Sequence, residues 1–178
     1  MSDTDYDTWV ICRHGSASTA NSVVITVNTT LQRRLKFAEY PFHVAVAIEA
    51  CARSIDRSGR IGAHESQHLL SLSRVIREHL EGEDQHLIAI VHGAGARRLE
   101  LRARDGAAVK RRLSALKDEN TWDRPWHFEV QHDPDGKLAE EWRGIARTPQ
   151  DHHLSVNVPH GEEAPHGEEA MDQHHFLF

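Results

Sequence analysis

Between residues 43 and 131 the apolar positions switch repeatedly between a period of two and a period near 3.6. This switching restricts the fold more than any other feature, because strands line one face at every second residue and helices at every third or fourth. Residues 43–49 alternate Val44, Val46 and Ile48 against His43, Ala45 and Ala47. In residues 64–81, Leu69, Leu72, Ile76 and Leu80 form one helical stripe, and Gly82 stands where a glycine commonly ends a helix. Residues 86–92 are the most apolar strand. Gly93-Ala94-Gly95 turns it into residues 97–104, where Leu99, Leu101 and Ala103 alternate with Arg98, Glu100, Arg102 and Arg104. A helix over 107–117 carries Val109, Leu113 and Leu116 on one stripe. A strand over 126–131 then puts Trp126, Phe128 and Val130 on one side.

The order strand, helix, strand, strand, helix, strand predicts an α+β fold, a ferredoxin-like β-α-β-β-α-β sandwich. Right-handed crossovers place both helices on one face of a single antiparallel sheet. Residues 8–13 and 22–28 are two extra N-terminal strands that extend this sheet or cover its other face, and 31–37 is a short helix. Asp133-Pro134-Asp135-Gly136 is a turn, followed by a short helix over 137–146 in which Leu138 and Trp142 pack one turn apart.

Residues 1–150 read as a single domain and 151–178 as an acidic, histidine-rich tail. The tail holds six acids and no Lys or Arg, so it carries the whole net charge of −6, and the remaining 21 acids balance 21 bases. A neutral domain has no electrostatic drive toward nucleic acid. In the tail, PHGEEA at 159–164 repeats unchanged at 165–170. Such sequence buries too little apolar surface to offset its ordering entropy, which predicts a disordered tail ending in an apolar tip, Phe176-Leu177-Phe178. The start lacks a basic region followed by an apolar run, and no apolar stretch approaches the roughly 20 residues that span a bilayer. With only Cys12 and Cys51, free thiols in a reducing compartment are expected, hence a cytoplasmic protein without a membrane partner.

Residues 23–142 resemble the bacterial family catalogued as domain of unknown function 695. The resemblance is carried by VVITVN at 23–28, YPFHVAVAI at 40–48 and the helix beginning near Glu65. It continues in HLIAIVHGAGARRLELRARD at 86–105 and WHFEVQHDPDGKLAEEW at 126–142. These are patterns of apolar residues and turns, so the resemblance implies a fold and no catalytic residue. The family is similar in architecture to ribonuclease E inhibitor proteins of the RraB type, which implies a regulatory binding role.

His64-Glu65-Ser66-Gln67-His68 is a literal H-E-x-x-H. On a helix this spacing would set His64 and His68 on one face as zinc ligands, with Glu65 as general base for hydrolysis by a metal-bound water. Ser71 and Arg74 stand where the extended motif has Gly and His, and no second helix offers a glutamate signature. The basic run Arg97, Arg98, Arg102, Arg104, Lys110, Arg111, Arg112 suggests RNA, but the positions that would stack bases are Ala45, Ala47, Arg98, Glu100 and Arg102, none aromatic. Tail histidines could gather a divalent ion only loosely, and the sequence requires no cofactor. The expected function is therefore a non-catalytic protein-binding or regulatory module of the inhibitor or immunity type. Another protein would be its partner, met by Arg98, Glu100, Arg102 and Arg104 on the sheet face away from the helices. The alternative is a zinc-dependent hydrolase using His64, Glu65 and His68.

Overall fold

The protein was analysed as a computed structural model, which describes residues 6–14, 23–57, 59–80, 82, 84–119, 121–140 and 153–159. The strands are β1 (Tyr6–His14), β2 (Val23–Asn28), β3 (Phe42–Glu49), β4 (Gln85–Gly93), β5 (Ala96–Ala103), β6 (Trp126–His132) and β7 (His153–Pro159). The α-helices are α1 (Thr29–Arg34), α2 (Ala63–Leu80) and α3 (Gly106–Glu119). Among the described residues the strands form one sheet in the order β6-β3-β5-β4-β2-β1-β7. Every neighbouring pair is antiparallel.

Local chemistry starts the helices. The Asn28 side chain accepts from Leu31 N at 2.9 Å to cap α1, and Asp105 accepts from Ala108 N at 2.9 Å to cap α3. The apolar stripes expected on α2 and α3 meet the apolar alternation of the strands. Leu69, Leu72, Ile76 and Leu80 of α2, with Val109, Leu113 and Leu116 of α3, pack on Val44, Val46, Ile48, Leu99, Leu101, Ala103 and Trp126. Both helices therefore lie on one face, as the sequence predicts. Each such side chain contributes about 1.5–3 kcal/mol on burial.

β4 departs from simple alternation. Leu87 faces Leu101 and Ala89 faces Glu100, so Ile88 is the extra residue of a bulge. The bulge turns both Ile88 and Ala89 to the far side, where they join Cys12, Ile25, Val27 and Ala139 in a second, smaller core. Leu35 and Phe37 pack over this cluster. The far face is thus partly roofed by the segment that follows α1 and by the helical turn at 137–140. The remainder of the predicted helix over 137–146, with Trp142, lies outside the described residues.

The N-terminal strands extend the sheet, one of the two arrangements that the sequence left open. The expectation of a disordered tail needs correcting at residues 153–159, because β7 pairs with β1 from Tyr6↔Pro159 to Cys12↔His153. Leu154, Val156 and Val158 alternate at period two; Val158 is buried in the main core and Val156 packs against it beside Trp9. The charge and proline content of the whole segment obscured a seven-residue strand within it. The second PHGEEA repeat and the Phe176–Phe178 tip lie outside the described residues. No described helix is long and apolar enough to cross a membrane.

The β4–β5 turn uses positive φ at both central residues, 49° at Ala94 and 81° at Gly95. This backbone suits the twist of a hairpin, and asparagine tolerates the first position better than alanine does. Ala94→Asn should raise stability by about 1 kcal/mol, measured as a higher urea midpoint. An unchanged or lower midpoint would show that the turn is not limiting.

Candidate functional site

Two groups of charged side chains stand out, and neither matches the arrangement expected from sequence. The first lies on the sheet face away from α2 and α3. The alternation of β5 does send Arg98, Glu100 and Arg102 to that face, but only Arg98 is substantially exposed there. Glu100 is fully buried, its Oε2 lying 2.7 Å from His43 Nε2 on the neighbouring strand and its Oε1 against Arg98 Nε.

Arg102 is also fully buried, which overturns its expected role on an open binding surface. Its guanidinium donates to Tyr40 O at 3.1 Å, to Asp133 Oδ2 at 2.8 Å and to the Asp133 carbonyl. It also stacks 4.9 Å from the centre of the Phe37 ring. Asp133 in turn accepts from Lys137 N at 2.9 Å and Leu138 N at 3.1 Å, capping the turn at 137–140. Burial pushes the Asp133 carboxyl up, but Arg102 and these two amides outweigh it and hold the group below the usual range. Gly136 (φ 72°) closes the same clamp, since a Cβ there would stand 2.7 Å from the Phe37 ring.

Arg102 therefore pins two crossing segments to the sheet. Arg104, beyond the strand end, lies over the Tyr40 ring at 5.0 Å and 3.7 Å from Asp84. Asp133 and Phe37 were not identified from sequence as partners of Arg102. Only the turn signal at 133–136 pointed toward them.

The second group surrounds the H-E-x-x-H at the start of α2. Glu65 turns inward and is 2% exposed. Its Oε1 accepts from Cys51 N at 2.7 Å and Arg124 Nε at 2.6 Å, and its Oε2 accepts from Arg124 Nη2 at 2.8 Å. The two-point contact with Arg124 lowers the Glu65 carboxyl to about 2, against the opposing effect of burial, and the Cys51 amide adds to the lowering. Arg124 is raised, first by the same contact.

The chain of contacts continues outward. Arg124 Nη1 reaches Asp123 Oδ2 at 2.9 Å, and Asp123 Oδ1 lies 2.9 Å from His68 Nε2. The His68 contact is the main reason that Asp123 is lowered. His64 points to solvent. A carboxylate with both oxygens committed in this way is not disposed to take a proton from water. Among the described residues no three His, Cys, Asp or Glu are grouped to hold a metal ion. The network instead ties the start of α2 to the ends of β3 and of the loop before β6.

The Cys12 thiol is buried, donates to Ile25 O at 3.6 Å and is pushed by burial up to about 11.

One antiparallel sheet carrying two helices on one face places the chain in the α+β class. The model of the family of unknown function DUF695 matches residues 9–141, and the chain belongs to that family. No curated protein matches it.

Proposed function

We propose that the protein is a non-catalytic binding module of the inhibitor or immunity type, built on a ferredoxin-like frame and working in the cytoplasm. The order β6-β3-β5-β4, with α2 and α3 on one face, supports that frame. Free Cys12 and Cys51 suit a reducing setting. The observation that carries the binding role is the strip of β3 that the far-side roof leaves accessible. There Ala45 and Ala47 are partly exposed, and the register sets Ala47 between Arg98 and His127. Arg98, His127 and Glu49 are 46%, 66% and 54% exposed. A flat floor of methyl groups rimmed by both signs of charge suits a protein surface of complementary charge, where such contacts mainly set specificity and association rate.

Ala47→Gln raises the floor without removing any charge. Thermal stability should stay within about 0.5 kcal/mol, as for most surface changes, while capture of the wild-type partner from the native cell is lost. Undiminished capture by Ala47→Gln and by Ala45→Gln would rule this strip out.

A further inference from the structure

The outer edge of the sheet at β6 presents a separate surface, whose argument does not depend on the binding role of the β3 strip. Among the described residues β6 is the last strand in the order, paired on its inner side with β3 from Phe42↔His132 to Ile48↔Trp126 without interruption. Edge strands usually carry a proline, a lysine, a bulge or an inward charge that discourages further pairing. WHFEVQH has neither a proline nor a lysine, and its pairing with β3 contains no bulge. From Trp126 to Gln131 its side chains also divide by face. Trp126, Phe128 and Val130 face the helices, with Phe128 and Val130 only partly buried, while His127, Glu129 and Gln131 are exposed on the other side. The Trp126 and Phe128 rings lie 6.1 Å apart, and Trp122 stands 5.2 Å from Trp126, so an aromatic ridge runs along this edge.

We propose that this edge pairs with β6 of a second copy of the chain, forming a two-fold dimer with one sheet running through both subunits. A two-fold axis normal to the sheet keeps the helices of both copies on the same side, so opposing residues share a face. Centred on Phe128, this pairing sets Phe128 against Phe128 and Trp126 against Val130 on the helix face. On the other face it sets His127 against Glu129 twice, once in each direction. Across residues 126–130 every cross-strand pair is then apolar with apolar or base with acid. Centring on Glu129 would face two glutamates, and centring on His127 would face two histidines. The sequence of β6 thus selects its own register.

Sedimentation velocity on the purified full chain tests this pairing, and since no partner protein is involved it can fail independently of the capture experiment. The wild type should sediment as a dimer at micromolar concentration. His127→Glu places glutamates opposite each other at two symmetric points and should weaken the dimer about tenfold or more. Glu129→Lys should weaken it as well, while His127→Glu combined with Glu129→Lys restores the opposite charges and the dimer. Circular dichroism should show all three variants folded, because both positions are exposed. A monomeric wild type would overturn the proposal, as would a dimer indifferent to these changes or a double variant that fails to recover.

Discussion

Reversing Arg102 to glutamate should unfold the protein at 25 °C. Arg102 is buried with Asp133 at 2.8 Å, and two strand positions away on the same face lies the buried Glu100. The reversal would put a third carboxylate among them and remove the donors that hold Tyr40 O and the Asp133 carbonyl. Breaking a buried ion pair on one side costs about 3–5 kcal/mol, because the other charge is left uncompensated. That is a large part of the about 5–15 kcal/mol that holds a typical domain together.

Arg102→Met separates charge from volume. It keeps most of the packing on Phe37 but strands Asp133, and should cost about 3 kcal/mol. Adding Asp133→Asn should recover part of that loss, since residues in direct contact couple by about 0.5–3 kcal/mol. Urea denaturation followed by tryptophan fluorescence measures each step. A folded Arg102→Glu protein with the wild-type midpoint would show that the clamp contributes nothing. A surface arginine, the role that alternation alone suggests, would tolerate the same reversal almost without effect.

The contrast at Arg102 shows how far the sequence could be read. Period-two alternation correctly assigned Arg98, Glu100 and Arg102 to the face opposite Leu99 and Leu101. Alternation tells which face a residue points to and is silent about what lies over that face. Here the cover comes from segments without periodic pattern, the Phe37 turn and the Asp133–Gly136 turn, brought together by contacts 31 and 62 residues apart in sequence. The bulge at Ile88 was hidden for a related reason, since one extra residue breaks alternation without any turn residue to mark it.

β7 was missed because composition was averaged over a segment much longer than the strand. Leu154, Val156 and Val158 carry the same period-two signal that located β3 and β5. At α2 the motif spacing is real, yet the neighbour that determines the role of Glu65 is Arg124, 59 residues away, and no local pattern announces that pairing.

Glu65 should produce the second large effect, and its sign can be worked out from the direction of its shift. The folded carboxyl sits at about 2, below an ordinary value of 4.5. A group depressed on folding stabilises the protein above its unfolded value and loses that contribution as pH falls toward its folded value. The Glu65–Arg124 contact therefore acts fully near neutral pH and fades from about pH 4.5 down to about pH 2. Glu65→Ala should cost about 3–5 kcal/mol at pH 7, by leaving Arg124 and the Cys51 amide without their shared acceptor. Glu65→Gln keeps the shape and one acceptor oxygen, and should cost about 1.5–3 kcal/mol, the range for a hydrogen bond to a charged group.

Asp123 and Asp133 are lowered too, so the wild type should lose stability in acid through several groups at once. The informative quantity is thus the gap between wild type and Glu65→Gln in urea midpoint, followed from pH 7 to pH 2. It should stay constant down to about pH 5 and then close as Glu65 is protonated. A gap that stays constant to pH 2 would mean that the carboxylate charge contributes nothing. A gap of opposite sign, with Glu65→Gln the more stable near pH 7 and the wild type gaining on it as pH falls, would mean a carboxyl raised rather than lowered, as a general base working near neutral pH requires. The same titration therefore separates a clamp from a catalytic glutamate.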